Sequence, residues 1–241
     1  MSRPLTYPGR IPSTSGILVD DAYVPLSAEE SVPPGEWRAE DEPLAALLAR
    51  LDCPPLRARH LVVAVGSNAA PSQVRRKFLD HGVRPIVPMT LADVPGIAPG
   101  VSAHVSRWGY VPAAPIETPG ETSRLFVLWL DELQLAALDL TEPNYHRRTI
   151  AVDGTRAFVY TGKHGCLTDP EGRPRRLRPQ RALIQDLLDE SPRLRHLCGN
   201  TPDDFVDNVR DETVREAVYR LFQADLRTEA PAGPDKVGPR D

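Results

Sequence analysis

The chain has 241 residues, a formal net charge of −4 and an ordinary share of charged residues, 26 %. Its length suits one domain with an addition, and a fold of this size forms a substantial core without disulfides or metals. The slightly acidic charge gives no footprint for a nucleic-acid partner, and no run of about 20 apolar residues is present to cross a membrane. The first residues lack the apolar stretch of a signal peptide, so we expect a cytoplasmic protein.

The residues that commonly bind metals are scattered along the chain. Cys53, Cys166 and Cys198 are far apart and odd in number, which favours reduced thiols over a disulfide framework or a zinc site. None of the six histidines stands at metal-ligand spacing from Cys, Asp or Glu. We therefore predict neither a metal nor a cofactor.

Residues 1–55 are predicted to form a proline-rich arm with one short helix. The first 40 residues contain six prolines, and each lacks a backbone donor, which disfavours long regular elements. Residues 16–26 are expected to form a short edge hairpin. A helix is predicted at about 42–52, where four leucines recur at helical spacing.

The middle of the chain predicts strands separated by turns and helices. Residues 60–65 are apolar and β-branched, as in a buried strand. A tight turn at 66–70 follows, and Pro71 suits the first position of a helix. Further strands are expected at 101–107, 109–116 and 125–130, the last of them after a turn at Pro119 and Gly120.

The second half of the chain predicts more helix than strand. Asp131 and Gln134 form a capping-box pattern for a helix that ends near Leu140. Asp153 and Gly154 separate two β-rich runs and indicate a hairpin. Further helices are expected at 179–189, from Thr201 and at 211–225, and residues 228–241 are expected to be a flexible tail. The irregular order of strands and helices indicates an α+β fold.

The first candidate site is the loop after the strand at 60–65. Val65, Gly66, Ser67 and Asn68 stand where a strand ends and a helix is about to begin, so free backbone N–H groups can point at a bound anion or oxyanion. Gly66 lets backbone approach a ligand closely. The competing interpretation is an ordinary β–α turn whose polar side chains satisfy local backbone.

The second candidate site is Glu142, at the end of the helix that Asp131 begins. The negative pole of the helix and the neighbouring Asp139 both destabilise the charge on this carboxylate, which suits a general base. The competing interpretation is a solvated helix-end residue that pairs with an arginine.

Taken in order, the two segments resemble the γ-glutamylcyclotransferase-like family. That family has a Tyr-Gly-Ser-Asn loop at a strand end and, later in the chain, a short helix with the motif Leu-Asp-x-x-Glu. The Gly-Ser-Asn of residues 66–68 matches the loop, and the Leu-Asp-Leu-Thr-Glu of residues 138–142 matches the helix end. The resemblance covers about residues 59–165, and it implies a family-like domain at 56–227 behind the arm.

The resemblance implies a small mixed β-barrel with surrounding helices. It also implies a small-molecule γ-glutamyl substrate, converted to 5-oxoproline and a free amine without metal or cofactor. Glu142 would be the general base and acid of this reaction. The substrate-binding residues that the resemblance implies are Val65, Gly66, Ser67, Asn68, Tyr145 and Arg147.

Two departures from the family pattern keep other functions open. Val65 replaces the tyrosine of the loop, and Pro143 stands where glycine commonly follows the glutamate. A non-catalytic protein that binds a ligand in the same fold is one alternative. Amide hydrolysis or amine transfer in the same pocket is another, and the arm is a candidate contact in a homodimer.

Overall fold

One nine-stranded sheet organises the part of the chain that the computed structural model describes, which is residues 3–27, 32–225 and 227–228. The strand order is β4-β3-β2-β1-β6-β7-β5-β9-β8, and β10 pairs with β11 in a separate ribbon. The strands are β1 (Gly16–Val19), β2 (Ala22–Ser27), β3 (Arg38–Ala39), β4 (Glu42–Pro43), β5 (His60–Ala64), β6 (Ile86–Val101), β7 (Ala113–Leu130), β8 (Tyr145–Val152), β9 (Thr155–Gly162), β10 (Cys166–Leu167) and β11 (Arg227–Thr228).

The sheet is open, so the predicted barrel is not confirmed, whereas the predicted α+β class is. Within the described residues, β4 and β8 are the two edges and no strand pairing joins them. The helices are α1 (Leu44–Arg50), α2 (Pro71–Asp80), α3 (Glu132–Leu140), α4 (Gln180–Glu190), α5 (Pro192–Cys198), α6 (Pro202–Asn208) and α7 (Glu212–Asp225). None of these helices is long and apolar enough to cross a membrane.

Strands β6 and β7 form a long antiparallel pair, of which the sequence predicted only parts of β7, in the strands expected at 109–116 and 125–130. Residues 102–112 connect them, so most of the strand expected at 101–107 is wrong and the expected turn at Pro119 lies inside β7.

Prolines within β6 obscured this strand. Pro95 and Pro99 are tolerated because β1 pairs only with residues 86–89, which leaves their part of β6 without that neighbour, and because Gly96 adopts a positive φ of 72° at a bulge. Pro88 pairs with Ile17 of β1 but lies just before the pairing with β7 begins at Met89.

The predicted hairpins are confirmed. Asp153 and Gly154 both have positive φ and connect β8 to β9, as a type I′ turn requires. The hairpin of β1 and β2 also forms, but β1 pairs with β6 and so extends the main sheet. Residues of the predicted arm are therefore part of the central sheet.

Six of the seven described helices form two groups, and α1 packs apart from them against residues of β1 and β2. α2 and α3 pack on one face of the sheet around buried side chains such as Phe78, Leu128 and Leu138. α4 to α7 enclose a second core that contains Phe205 and Phe222. The predicted helices at 179–189 and 211–225 are confirmed, as is the capped start at Thr201, whereas α5 was not predicted. The predicted tail lies, apart from Thr228, outside the described residues.

Candidate active site

The loop after β5 is shaped by close approach of backbone and side chains. Gly66 leads into a single 3-10 turn, Ser67–Ala69, and α2 begins at Pro71. A Cβ atom on Gly66 would lie 2.7 Å from the Tyr7 hydroxyl oxygen and 2.8 Å from the Ala113 Cβ, so larger residues do not fit. The glycine is therefore needed for the approach of these two neighbours.

Glu142 stands in a tight turn between α3 and β8. The Asp131 and Gln134 capping box begins α3, as predicted. After the helix ends, the Tyr145 amide donates to the Glu142 carbonyl across 3.1 Å, with Pro143 at the second turn position, which proline favours. Pro143 therefore fits the turn that sets the direction of Glu142.

The structure brings the loop and the helix end together. The Asn68 side-chain amide donates to Glu142 Oε1 across 3.0 Å. Lys77, on the second turn of α2, places its Nζ 2.5 Å from the same oxygen and 2.8 Å from Asn68 Oδ1. Only 10 % of the Glu142 side chain and 11 % of the Lys77 side chain are exposed. Glu142 is thus a sheltered carboxylate in an ion pair, not a solvated helix-end residue.

Lys77 was not predicted as a site residue, although the small number of lysines in the chain points to it. Only three of the 29 basic residues are lysines. The two that the structure describes both contact the turn at Glu142, since Lys163 Nζ donates to the Pro143 carbonyl across 2.7 Å. A rare residue type in an arginine-rich chain therefore marked the site.

A cavity of about 520 Å³ opens beside Glu142. Ser67 and Tyr145, both predicted to bind substrate, line it together with Lys77. Aromatic side chains supply much of the wall, and the residues concerned are Tyr7, Trp108, Tyr110 and Tyr145. The volume suits a small organic ligand.

Tyr7 comes from the predicted arm and was not expected at this site. Its side chain is 5 % exposed and its ring stacks on Tyr110 at a centroid distance of 4.4 Å. The Ala113 amide donates to the Tyr7 hydroxyl across 2.9 Å, and the Tyr145 hydroxyl donates to the Ala113 carbonyl across 2.8 Å. Burial raises the pKa of both Tyr7 and Tyr145, so both phenols stay protonated at neutral pH.

Arg147, which the resemblance placed in the pocket, lies outside the cavity wall. Its guanidinium binds Asp139 across 2.6 Å and stands 4.7 Å from the centre of the Phe158 ring. Asp139 also accepts a hydrogen bond from Tyr160 across 2.7 Å. The charge of Asp139 is therefore balanced locally, which weakens the repulsion of Glu142 that the sequence predicted. Val65 packs into an apolar cluster on the sheet and does not line the cavity either.

His104 lines the cavity, whereas His146, the histidine nearest Glu142 in the chain, is exposed on β8. The Nδ1 atom of His104 is 2.7 Å from the Ser102 hydroxyl, and its ring centroid is 4.5 Å from that of His164. Burial first, and His164 second, lower the pKa of His104 to about 3. His104 is therefore neutral in the folded protein near pH 7.

A larger cleft, of about 990 Å³, contains none of the predicted site residues. Arg59, Trp37 and Trp129 are among its lining residues. In the described part of the chain, no three His, Cys, Asp or Glu side chains are arranged to hold a metal ion. Of these two cavities, the one beside Glu142 is where titratable and polar groups of both candidate motifs converge.

Comparisons with known proteins add little to this geometry. No family model and no curated protein match the chain. A solved structure of a γ-glutamyl cyclotransferase is similar over 76 % of this chain and 94 % of its own, at 13 % identity and a TM-score of 0.35. A protein of Arabidopsis thaliana, solved in solution, is similar over 48 % of this chain and 74 % of its own, at 18 % identity and a TM-score of 0.34. At such TM-scores these likenesses support no conclusion about the activity of this chain.

Proposed function

We propose that this chain is an enzyme that converts a γ-glutamyl amide to 5-oxoproline and a free amine. The observation that supports this proposal most is the hydrogen bond from Asn68 to Glu142. It joins the two segments that resemble the γ-glutamylcyclotransferase-like family, and it does so at the wall of a cavity of suitable size.

The reaction requires one group that can take a proton and return it. The α-amino nitrogen of the γ-glutamyl group attacks the γ-carbonyl carbon, and a C–N bond closes the five-membered ring. The bound ammonium first gives one proton to Glu142 and so becomes the nucleophile, and Glu142 passes this proton to the leaving nitrogen as the original amide bond breaks. The extra proton that remains on the ring nitrogen follows through the same carboxylate, so the amine leaves as an ammonium. The atoms balance without water or a redox partner.

Contacts around Glu142 support its role as the base. Lys77 balances the charge of Glu142, whereas the sequence predicted a destabilised charge, so Glu142 becomes a stronger base when a ligand draws Lys77 away. Asn68 holds the carboxylate in one orientation through its side-chain amide. The sheltered position of the carboxylate limits competition from water for the same proton.

The aromatic wall supports binding of the folded glutamyl chain. Ring closure needs the flexible chain held in a near-attack geometry. The family has a tyrosine in the loop where this chain has Val65, but Tyr7, Tyr110 and Tyr145 supply rings and phenol groups to the cavity from other elements. The loss of the tyrosine from the loop therefore leaves the cavity aromatic.

Incubation with a panel of γ-glutamyl amides, followed by chromatographic detection of 5-oxoproline, tests the proposal. Glu142→Gln keeps the shape of the side chain but removes the base, and we expect it to lower kcat by at least about 100-fold. It also leaves the buried Lys77 without its anion, so we expect a lower melting temperature, and kcat is compared at a temperature where both proteins are folded. Glu132→Gln is the matched control, because Glu132 lies on the same helix with an exposed side chain. Equal turnover by wild type and Glu142→Gln would contradict the assignment of Glu142.

Three other functions are separated by additions to this experiment. Thermal stabilisation by 5-oxoproline without turnover of any γ-glutamyl amide would indicate a binding protein. Incorporation of oxygen from labelled water into the product would indicate hydrolysis, since cyclisation takes no oxygen from water. Transfer of the glutamyl group to an added amine would indicate amine transfer.

A further inference from the structure

The ion pair of Lys77 and Glu142 is not explained by its own stability. Both side chains are about nine-tenths buried, so both charges have lost most of their hydration. A buried ion pair recovers this cost only in part, and well-packed apolar residues often stabilise a fold as well or better. The ion pair of Lys77 and Glu142 is therefore a candidate for binding a ligand.

Lysine suits such a role better than the arginine that dominates this chain. An ammonium group is a compact charge with three rotatable donors, whereas a guanidinium is a rigid planar fork. Asn68 Oδ1 and Glu142 Oε1 occupy two of the three N–H groups of Lys77. Among the residues that the structure describes, the third N–H of Lys77 has no partner, so it can donate to an anionic group in the cavity that Lys77 lines.

The other cations of the cavity wall have different neighbours. Arg76 lies 3.8 Å from Asp80, with which it pairs along α2. Arg107 stands 4.8 Å from the centre of the Trp108 ring. Of these three cations, Lys77 is the one in direct contact with the candidate base.

We infer that Lys77 is the subsite for the α-carboxylate of the substrate, with Glu142 facing the α-amino group of the same residue. This inference rests on the proposed function and names what its site recognises, namely an α-amino-acid head group. In such a head group the ammonium and the carboxylate are attached to one carbon. A ligand of this kind exchanges one ion pair in the protein for two ion pairs across the interface.

Asn68 is placed to support this exchange. Its amide oxygen accepts from Lys77 and its amide nitrogen donates to Glu142, so one side chain orients both charged groups. When the substrate carboxylate draws Lys77 away, Asn68 still holds Glu142. The carboxylate of the base is then available to the α-amino group at the position where ring closure begins.

A pair of substrates tests the subsite. One is a γ-glutamyl amide with a free α-carboxylate, and the other is the same compound with an α-carboxamide. We expect wild type to favour the carboxylate by about 10- to 100-fold in kcat/KM, the range for a charge-assisted hydrogen bond. Lys77→Met should reduce this ratio to within about threefold of one. Lys77→Arg, which keeps the charge, should retain a preference for the carboxylate.

The ratio of the two substrates distinguishes binding from an indirect effect. If Lys77 acted only by holding Glu142, Lys77→Met would lower the rates of both substrates equally, and that result would overturn the inference. Arg124→Met is the control for loss of a positive charge, because Arg124 pairs with Asp93 on an exposed surface. It should leave the ratio unchanged.

Equilibrium binding separates this inference from the proposed reaction. Calorimetric titration with 5-oxoproline and with its carboxamide requires no turnover. If no γ-glutamyl amide is converted, yet wild type prefers 5-oxoproline and Lys77→Met does not, the subsite stands and the proposed reaction fails. If wild type binds the two compounds equally or binds neither, the subsite is refuted.

Discussion

The cavity beside Glu142 and the outer surface at the same helix end contain similar residues in different surroundings. Glu142 and Asp139 stand three residues apart, but their side chains are 10 % and 38 % exposed. Their partners differ in the same way, since Lys77 is 11 % exposed and Arg147 is 33 % exposed. The two carboxylates have the same charge and lie close together in the chain, so their exposure to water is what distinguishes them.

The different surroundings of Glu142 and Asp139 indicate which of the two carboxylates can act on a ligand. Asp139 is bound by Arg147 and Tyr160, and its partner Arg147 also contacts Phe158. The pair at Glu142 lies at a cavity wall instead. Electrostatic interactions are stronger in such a sheltered place, so a change there affects both stability and chemistry more than the same change outside.

The largest contrast is expected between the two carboxylates in catalysis. Glu142→Gln should lower kcat/KM for a γ-glutamyl amide by about 100- to 10,000-fold, the range for loss of a general base. Asp139→Asn should leave kcat/KM within about threefold, because its contacts lie outside the cavity wall. Steady-state kinetics of both variants measure this. Equal losses of kcat/KM would show that Asp139 matters for catalysis as much as Glu142, which would contradict this prediction.

The next contrast concerns the two ion pairs. Lys77→Met leaves a buried carboxylate without its cation, and we expect a loss of about 3 kcal/mol in the free energy of unfolding. Arg147→Met opens a pair that is about one-third exposed and should cost about 1 kcal/mol or less. Urea unfolding at pH 7 measures both values. A smaller loss for Lys77→Met than for Arg147→Met would show that the buried pair does not stabilise the fold.

His104 should make the stability of the folded protein depend on pH. The pKa of His104 is about 3 in the folded protein, while an unfolded histidine titrates near 6.5, so the unfolded chain takes up a proton first as the pH falls. Stability is therefore lost below about pH 6.5, by about 2 kcal/mol between pH 7 and pH 5 from this residue.

His104→Asn tests that dependence against His146→Asn, its exposed counterpart. Urea unfolding at pH 7 and pH 5 should show a flatter dependence for His104→Asn than for wild type, even though this variant is less stable overall. His146→Asn should keep the wild-type dependence. An unchanged dependence in His104→Asn would mean that another group takes up the proton.

The smallest contrast is between two tyrosines of the N-terminal segment. Tyr7→Phe leaves the buried Ala113 amide without its acceptor and should cost about 1 kcal/mol. Tyr23→Phe removes a hydrogen bond to the Thr14 carbonyl in a solvent-exposed setting and should cost less. Thermal unfolding compares the two variants. Equal shifts in melting temperature would show that the buried hydrogen bond of Tyr7 stabilises the fold no more than the exposed one of Tyr23.

The parts of the fold that the sequence predicted well depend on local interactions. The capping box of Asp131 and Gln134 and the turn at Asp153 and Gly154 each involve neighbours within a few residues. The apolar strand β5 was also predicted, because its side chains suit a buried strand in any sheet. The prolines of β6 interrupt the sequence pattern of a strand, so β6 was not predicted. The sheet tolerates them because of how β6 pairs with its neighbours.

The candidate site shows the same division. By itself, the sequence determined that a glycine-containing loop and a helix-end glutamate exist, with Glu142 and Asn68 as the residues to examine. Only the tertiary structure decided that Lys77, 65 residues from Glu142, pairs with it, and that Tyr7 reaches Ala113, 106 residues away. Local patterns record the backbone preferences of near neighbours, whereas such contacts depend on how distant elements pack, which no short window of sequence contains.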